Sequence, residues 1–135
     1  MVYLTRDVDY AIRALAYMAL ITRENKDAIV SVDAIVREQH LPRALLRRVL
    51  QKLAKKKIIH SLKGKGGGFV FAQDPAAITV DEIIAVFHDT VNKEHCLVGS
   101  SICPGIKTCK LRKKVDALNR IVSEEFGKVT IASLL

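Results

Sequence analysis

The stretch Leu41-Pro42-Arg43-Ala44-Leu45-Leu46-Arg47-Arg48-Val49-Leu50-Gln51-Lys52-Leu53, followed by Ile58-Ile59-His60-Ser61-Leu62, Lys63-Gly64-Lys65-Gly66-Gly67-Gly68 and Phe69-Val70-Phe71-Ala72, decides the fold. Leu41-Pro42 marks a sharp turn, because proline disfavours helix at the residue before it and is tolerated at a first helical position. From Pro42 to about Lys56 the apolar residues Leu46, Val49, Leu50 and Leu53 recur at helical spacing. The period then changes. Residues 58–62 and 69–72 read as strands, and the glycine-rich run between them reads as a turn able to reach positive φ. Upstream, Ser31 is placed to cap a helix from Val32 to about Gln39, with Asp33 in its first turn. Two such helices joined by a short turn match helix-turn-helix geometry, and a hairpin behind them makes a winged helix.

Working outward, Thr5 to about Thr22 carries Val8, Ala11, Ile12, Leu15, Met18 and Ala19 at helical spacing. Thr5 suits an N-cap and Asp7 a first turn, where negative charge favours the helix dipole. Arg23-Glu24-Asn25-Lys26-Asp27 reads as a polar loop. Beyond the hairpin, Thr79-Val80-Asp81-Glu82 is a capping box opening a helix to about Phe87. Residues 92–108 lack periodicity. In the long last helix, Leu111, Val115, Leu118, Val122, Phe126 and Val129 follow at spacings of 4, 3, 4, 4 and 3, the seam of a helix packing on a partner helix. The expected fold is mainly α, with a winged helix-turn-helix domain and two-stranded wing over residues 1–90. A cysteine loop and dimerisation helix over residues 91–135 complete one compact unit.

Half of the residues are hydrophobic but only 5% are aromatic, and the abundance of Ala, Val, Ile and Leu suits helices. The 22 Lys and Arg against 14 Asp and Glu give a net charge of +8, which favours a polyanion, either nucleic acid or an anionic membrane. The longest apolar run is far short of a bilayer span. Met1-Val2-Tyr3-Leu4-Thr5-Arg6-Asp7 does not read as a secretory signal, since acidic residues enter at once. The expected location is the cytoplasm, with no membrane partner.

Nine of the basic residues fall between Arg43 and Lys65, with no Asp or Glu among them. They lie on the two elements that a winged helix sets against DNA. Arg43 and Arg47 are one turn apart, as are Ala44 and Arg48, and they project away from the Leu46/Val49/Leu50/Leu53 face. With Lys52 they form the expected major-groove surface, where arginine binds guanine in bidentate fashion. Lys63, Lys65 and Gly66 of the wing are expected at phosphates or in the minor groove. The competing reading is a helix face whose charges are merely solvated.

The three cysteines, Cys96, Cys103 and Cys109, are spaced Cys-x6-Cys-x5-Cys in a loop that also holds Gly99, Ser100, Ser101, Pro104 and Gly105. Disulfides are disfavoured in a reducing compartment. Core cysteines scatter along helices and strands, whereas thiols clustered on an irregular loop suggest convergence on a metal. Zinc is one choice, with His95 completing a Cys3His set, although adjacent residues rarely ligate one ion. The longer spacings suit a larger object, an iron–sulfur cluster of 4Fe-4S or 2Fe-2S type. Three incidental thiols, or redox-active thiols without metal, are the alternatives.

These features together resemble the Rrf-two family of bacterial winged-helix regulators, which includes IscR-, NsrR- and RirA-like members. The resemblance covers nearly the whole chain. It is carried by Leu4-Thr5 through Asp9-Tyr10-Ala11, Leu50-Gln51-Lys52-Leu53, Gly64-Lys65-Gly66-Gly67-Gly68-Phe69, Val80-Asp81-Glu82-Ile83-Ile84 and the cysteine loop. It implies a homodimer joined through the last helix, double-stranded DNA with a palindromic operator, and a cluster whose loss or modification changes DNA binding. IscR-like members place a histidine ligand three residues after the third cysteine, where this chain has Arg112. NsrR-like members use an aspartate of the first helix, contributed across the dimer, and Asp9 occupies the matching position. Asp9 is thus the candidate fourth ligand by resemblance; its competing role is an i,i+4 ion pair with Arg13. Water, a small thiol, His88 or His95 are further candidates. The first cysteine gap is six residues rather than the five common in those members.

An enzyme is a poor fit. No Ser/His/Asp or Cys/His pairing has motif support, and the lysine-flanked glycines lack the following helix that phosphate binding requires. A module for binding a foreign protein through the amphipathic last helix is the remaining class.

Overall fold

The computed structural model describes residues 4–88 and 102–135, so Cys96, His95 and the boundary expected at residue 90 lie outside the described residues. Three helices come first: α1 (Arg6–Glu24), α2 (Val32–Gln39) and α3 (Arg43–Lys55). Thr5 accepts the N–H of Val8 at 3.4 Å, and Ser31 accepts that of Ala34 at 3.1 Å, so both expected caps form. Asp7, Asp9 and Asp33 occupy first turns, where their charge meets the positive helix end. α3 starts one residue later than its sequence suggests, with Pro42 itself at the N-cap. Between α2 and α3 the chain passes through His40 at φ 52°, a left-handed conformation costing a non-glycine residue about 1–2 kcal/mol. Burial of the neighbouring Leu41 offsets that strain.

Strands β1 (Ile59–Leu62) and β2 (Gly68–Phe71) pair antiparallel, with Ile59 opposite Phe71 and Leu62 opposite Gly68. Val30 adds a further rung on the other edge of β2. Its N–H donates to the Phe69 carbonyl at 3.0 Å, and its carbonyl accepts the Phe69 N–H at 2.8 Å. This approach explains Gly68, since a Cβ there would stand 2.5 Å from the Val30 carbonyl oxygen. α4 (Val80–Phe87) opens on Thr79, which accepts the Glu82 N–H at 3.1 Å. α5 (Lys110–Gly127) and a short 3-10 helix (Ala132–Leu134) complete the described chain.

α1 is the central helix and packs on α2, α3 and α4. Its Val8, Ala11, Ala14, Leu15 and Met18 meet Leu46, Val49, Leu50 and Leu53 of α3 in a core that Ile35, Ile58, Ile59, Ile78, Ile83 and Ile131 close. Full burial of such a leucine or isoleucine is worth roughly 1.5–3 kcal/mol. The apolar stripe therefore fixes which face of α3 is inside and turns its arginines outward.

The last helix departs from the expected seam. Phe126 and Val129 pack against this chain's own core. They are drawn there by a backbone anchor: the Val80 N–H donates to the Val129 carbonyl at 2.8 Å, and the Ile131 N–H to the Ile78 carbonyl at 2.9 Å. Val129 lies beyond the helix end at Gly127. Leu111, Leu118 and Ile121 are the apolar side chains that α5 leaves exposed. Among the described residues, no helix is long and apolar enough to cross a membrane.

Candidate nucleic-acid interface and cysteine segment

On α3 the side chains of Arg43, Ala44, Arg47, Arg48 and Lys52 are all on the exposed surface, opposite the buried leucines. Their partners differ. Arg43 forms an ion pair with Asp33 of α2. Arg48 reaches Asp7 of α1, with Nη2 2.9 Å from Oδ1. The Lys52 ammonium lies 5.5 Å from the centroid of the Phe87 ring, a cation–π contact with α4. Among the described residues Arg47 has no carboxylate within ion-pair distance. Surface pairs of this kind contribute about 0–1 kcal/mol, so a phosphate can displace either carboxylate.

The wing stands beside this face. Lys63, Lys65 and Gly66 are exposed on the β1–β2 turn, where Gly66 takes φ 78°. Two clefts separate the wing from the helices, one of about 280 Å³ lined by Ser31, Arg43, Arg47, Gly64 and Gly67, the other of about 380 Å³ lined by Arg47, Gln51, Ser61 and Lys63. Arg47 lines both. The two clefts thus bring Arg43 and Arg47 of α3 beside the wing and its Lys63, while Arg48 turns to α1 and Lys52 to α4. Asp7, Asp33 and Gln51 escaped the sequence reading. In sequence Asp7 and Asp33 carry only the signature of a helix start, and Gln51 carries no charge to mark it.

Asp9 sits two residues after Asp7 on α1, 55% exposed, with a carboxylate oxygen 3.7 Å from the Arg13 guanidinium. Arg13 also donates to the Gln39 carbonyl at the end of α2. One guanidinium therefore joins the candidate ligand to the helix-turn-helix. Cys103 and Cys109 are half-buried free thiols. Successive turns, with the Ile106 N–H donating to the Cys103 carbonyl at 3.3 Å and the Thr108 N–H to that of Gly105 at 3.1 Å, carry the chain from one cysteine towards the other. Cys109 is the N-cap of α5, and its Sγ accepts the Arg112 N–H at 3.4 Å. Arg112 is buried, and its Nε lies 3.2 Å from Asp116 Oδ1. Among the described residues no three His, Cys, Asp or Glu side chains come together as a metal site; Cys96 lies outside them.

The family described as Rrf2, iron-dependent transcriptional regulator, matches residues 4–135. A protein of Aquifex aeolicus (strain VF5) named as an HTH-type transcriptional regulator is 35% identical over 130 residues, covering 95% of this chain and 88% of its own. Among solved structures, T. potens IscR superposes with a TM-score of 0.73 at 23% identity, covering 97% of this chain and 84% of its own. CymR (YrzC), the global cysteine regulator of B. subtilis, gives a TM-score of 0.64 at 21% identity over 99% of this chain and 96% of its own. These two share the fold, a mainly helical winged helix with a long C-terminal helix. With a family match spanning every described element, the chain belongs to the Rrf2 family of DNA-binding transcriptional regulators.

Proposed function

We propose that this chain is a cytoplasmic homodimer that binds a palindromic operator, most simply as a repressor, under the control of an iron–sulfur cluster. One observation carries this reading: the two described thiols stand free and half-buried on a turn that runs directly into α5. That donor set fits a thiolate-held centre. The thiols are neither crosslinked nor locked in the core, and the Cys109 Sγ already accepts the Arg112 N–H at the start of α5. Cys96, Cys103 and Cys109 would hold the cluster, with Asp9 as the candidate fourth ligand. Arg112, engaged with Asp116, supplies none. When bound, such a centre supplies iron that responds to oxidants, nitric oxide or iron supply.

The chain's own residues provide the coupling. Arg13 bridges the Asp9 carboxylate and the Gln39 carbonyl, one turn-residue run before α3. A change at Asp9 is therefore felt at the α2 end that positions Arg43 and Arg47. Dimeric recognition demands a fixed spacing between two recognition helices, so a small displacement lowers affinity.

Anaerobic purification followed by iron, sulfide and visible-absorbance measurement tests the reading. Iron and sulfide in stoichiometric amount, lost in Cys103→Ala, support it. A colourless protein with neither element after reconstitution overturns it. The second reading, thiol control or zinc without a cluster, draws on the fold shared with CymR and on the two half-buried free thiols, Cys103 and Cys109. Zinc analysis and thiol titration on the same sample separate those two.

A further inference from the structure

Away from both the DNA face and the cysteine segment lies a hollow of about 600 Å³. It opens between the end of α1, strand β2 and the C-terminal 3-10 helix. We propose that this hollow binds a small carboxylate with an apolar body, such as a branched-chain or aryl-acetic acid, and that this ligand acts on the wing. The volume falls within the roughly 300–1,000 Å³ typical of small-molecule sites.

The lining divides by chemistry. Ala19, Val70, Phe71, Ala132 and Leu135 are its apolar lining, and Arg23 and Lys26 line it as well. Both cations are exposed, and among the described residues neither pairs with a carboxylate. Asp74 also lines the hollow, but one of its oxygens already accepts the Ala76 N–H at 2.9 Å. Among the lining side chains, two cations stand against one engaged acid, beside an apolar wall. That is the complement of a carboxylate on a hydrocarbon, and an apolar cation is disfavoured there.

Backbone bonds hold the walls in place. The Ala132 N–H donates to the Pro75 carbonyl at 3.2 Å, the Ile131 N–H to the Ile78 carbonyl at 2.9 Å, and Thr22 Oγ1 to the Ala19 carbonyl at 3.2 Å. The hollow thus joins three parts of the molecule. Val70 and Phe71 belong to the strand that returns from the wing, Ala19 to the central helix, and Ala132 to the segment following α5. A ligand seated there bears on the wing from behind. This inference does not depend on the cluster and stands or falls separately.

The test uses the intact protein with isovalerate and phenylacetate as probes, and isoamyl alcohol and isoamylamine as uncharged and cationic controls. Titration calorimetry and amide NMR are the readouts. The expected result is millimolar or tighter binding of both carboxylates, with shifts at Ala19, Val70, Phe71 and Ala132. The double variant Arg23→Gln/Lys26→Gln should weaken it about tenfold while DNA binding without probe is unchanged. Ala132→Phe, which fills the space, should abolish it; if that variant fails to fold, the double variant still decides. Absence of binding by either carboxylate at about 10 mM overturns the proposal. So does equal binding of isoamylamine, or undiminished carboxylate binding by the double variant.

Discussion

Arg48 on the recognition helix holds Asp7 at the start of the first helix through one guanidinium nitrogen, 2.9 Å from Oδ1 and 3.3 Å from Oδ2. The bond spans 41 residues and ties the N-terminus of α1 to the exposed basic face of α3. It also keeps a carboxylate beside an arginine that would otherwise meet phosphate. We expect Asp7→Asn to free Arg48 and raise affinity for all DNA sequences, steepening the salt dependence by about one unit of slope. The cost to stability should stay near 1 kcal/mol, since the pair is partly exposed and Asp7 also serves the helix dipole. Binding measured across a salt series checks this, and an unchanged slope would show that Arg48 does not reach the backbone.

Arg47 and Lys65 should behave differently. Arg47 lines both clefts between α3 and the wing and, among the described residues, has no ion pair, so we expect it to be the arginine that reads a base. Arg47→Ala is expected to cost about 1–3 kcal/mol at the specific site and to relax discrimination at one position. Lys65, exposed on the wing turn, should contribute to every sequence alike. Lys65→Ala then lowers specific and nonspecific affinity by the same factor. Competition assays with operator and random duplex separate the two patterns.

The close approach of Val30 to β2 gives a stability prediction. A methyl group on residue 68 would meet the Val30 carbonyl oxygen at 2.5 Å, with backbone on both sides of the contact. Gly68→Ala should therefore destabilise the fold by about 2–3 kcal/mol, chiefly by prising Val30 from Phe69. Gly105→Ala is the control, since nothing lies within 4 Å of a Cβ there. Thermal unfolding should separate the two by several degrees or more.

The helices were legible because each carries its own start signal and apolar period. Thr5, Ser31 and Thr79 all accept the amide that their position predicts. What escaped was whatever depends on distant partners. Val30 pairs with Phe69 through backbone atoms alone and leaves no side-chain pattern. Arg43 and Arg48 looked like free cations because Asp33 and Asp7 lie ten and 41 residues earlier. The apolar spacing of α5 could not tell a partner helix from the chain's own core, and Phe126 and Val129 went to the latter. Of the candidate ligands, Cys103 and Cys109 are placed on one turn segment, whereas Cys96 lies outside the described residues.

Arg13 is the point where a coupling between Asp9 and the helix-turn-helix is testable. Its guanidinium serves the Asp9 carboxylate and the Gln39 carbonyl together. Arg13→Ala should leave iron and sulfide content unchanged yet reduce the difference in operator affinity between cluster-loaded and cluster-free protein. Arg13→Lys should restore part of it. A full difference in Arg13→Ala would show that the signal reaches α3 by another route.

The exposed stripe on α5 carries the last prediction. Leu111, Leu118 and Ile121 are 58%, 46% and 56% exposed, and their spacing of 7 and 3 places them along one face of the helix. Three large apolar side chains in line on the exposed side of this helix leave apolar surface that a second copy of α5 would bury. Because Leu118 and Ile121 lie outside this chain's own core, Leu118→Asp should keep the helical signal and melting behaviour of the monomer unit. Sedimentation equilibrium is expected to show a dimer for the parent chain and a monomer for the variant. Losing the second reading head should weaken operator binding about a hundredfold or more, because both half-sites are no longer engaged by one molecule. A variant that remains dimeric would place the interface elsewhere and remove the role assigned to this stripe.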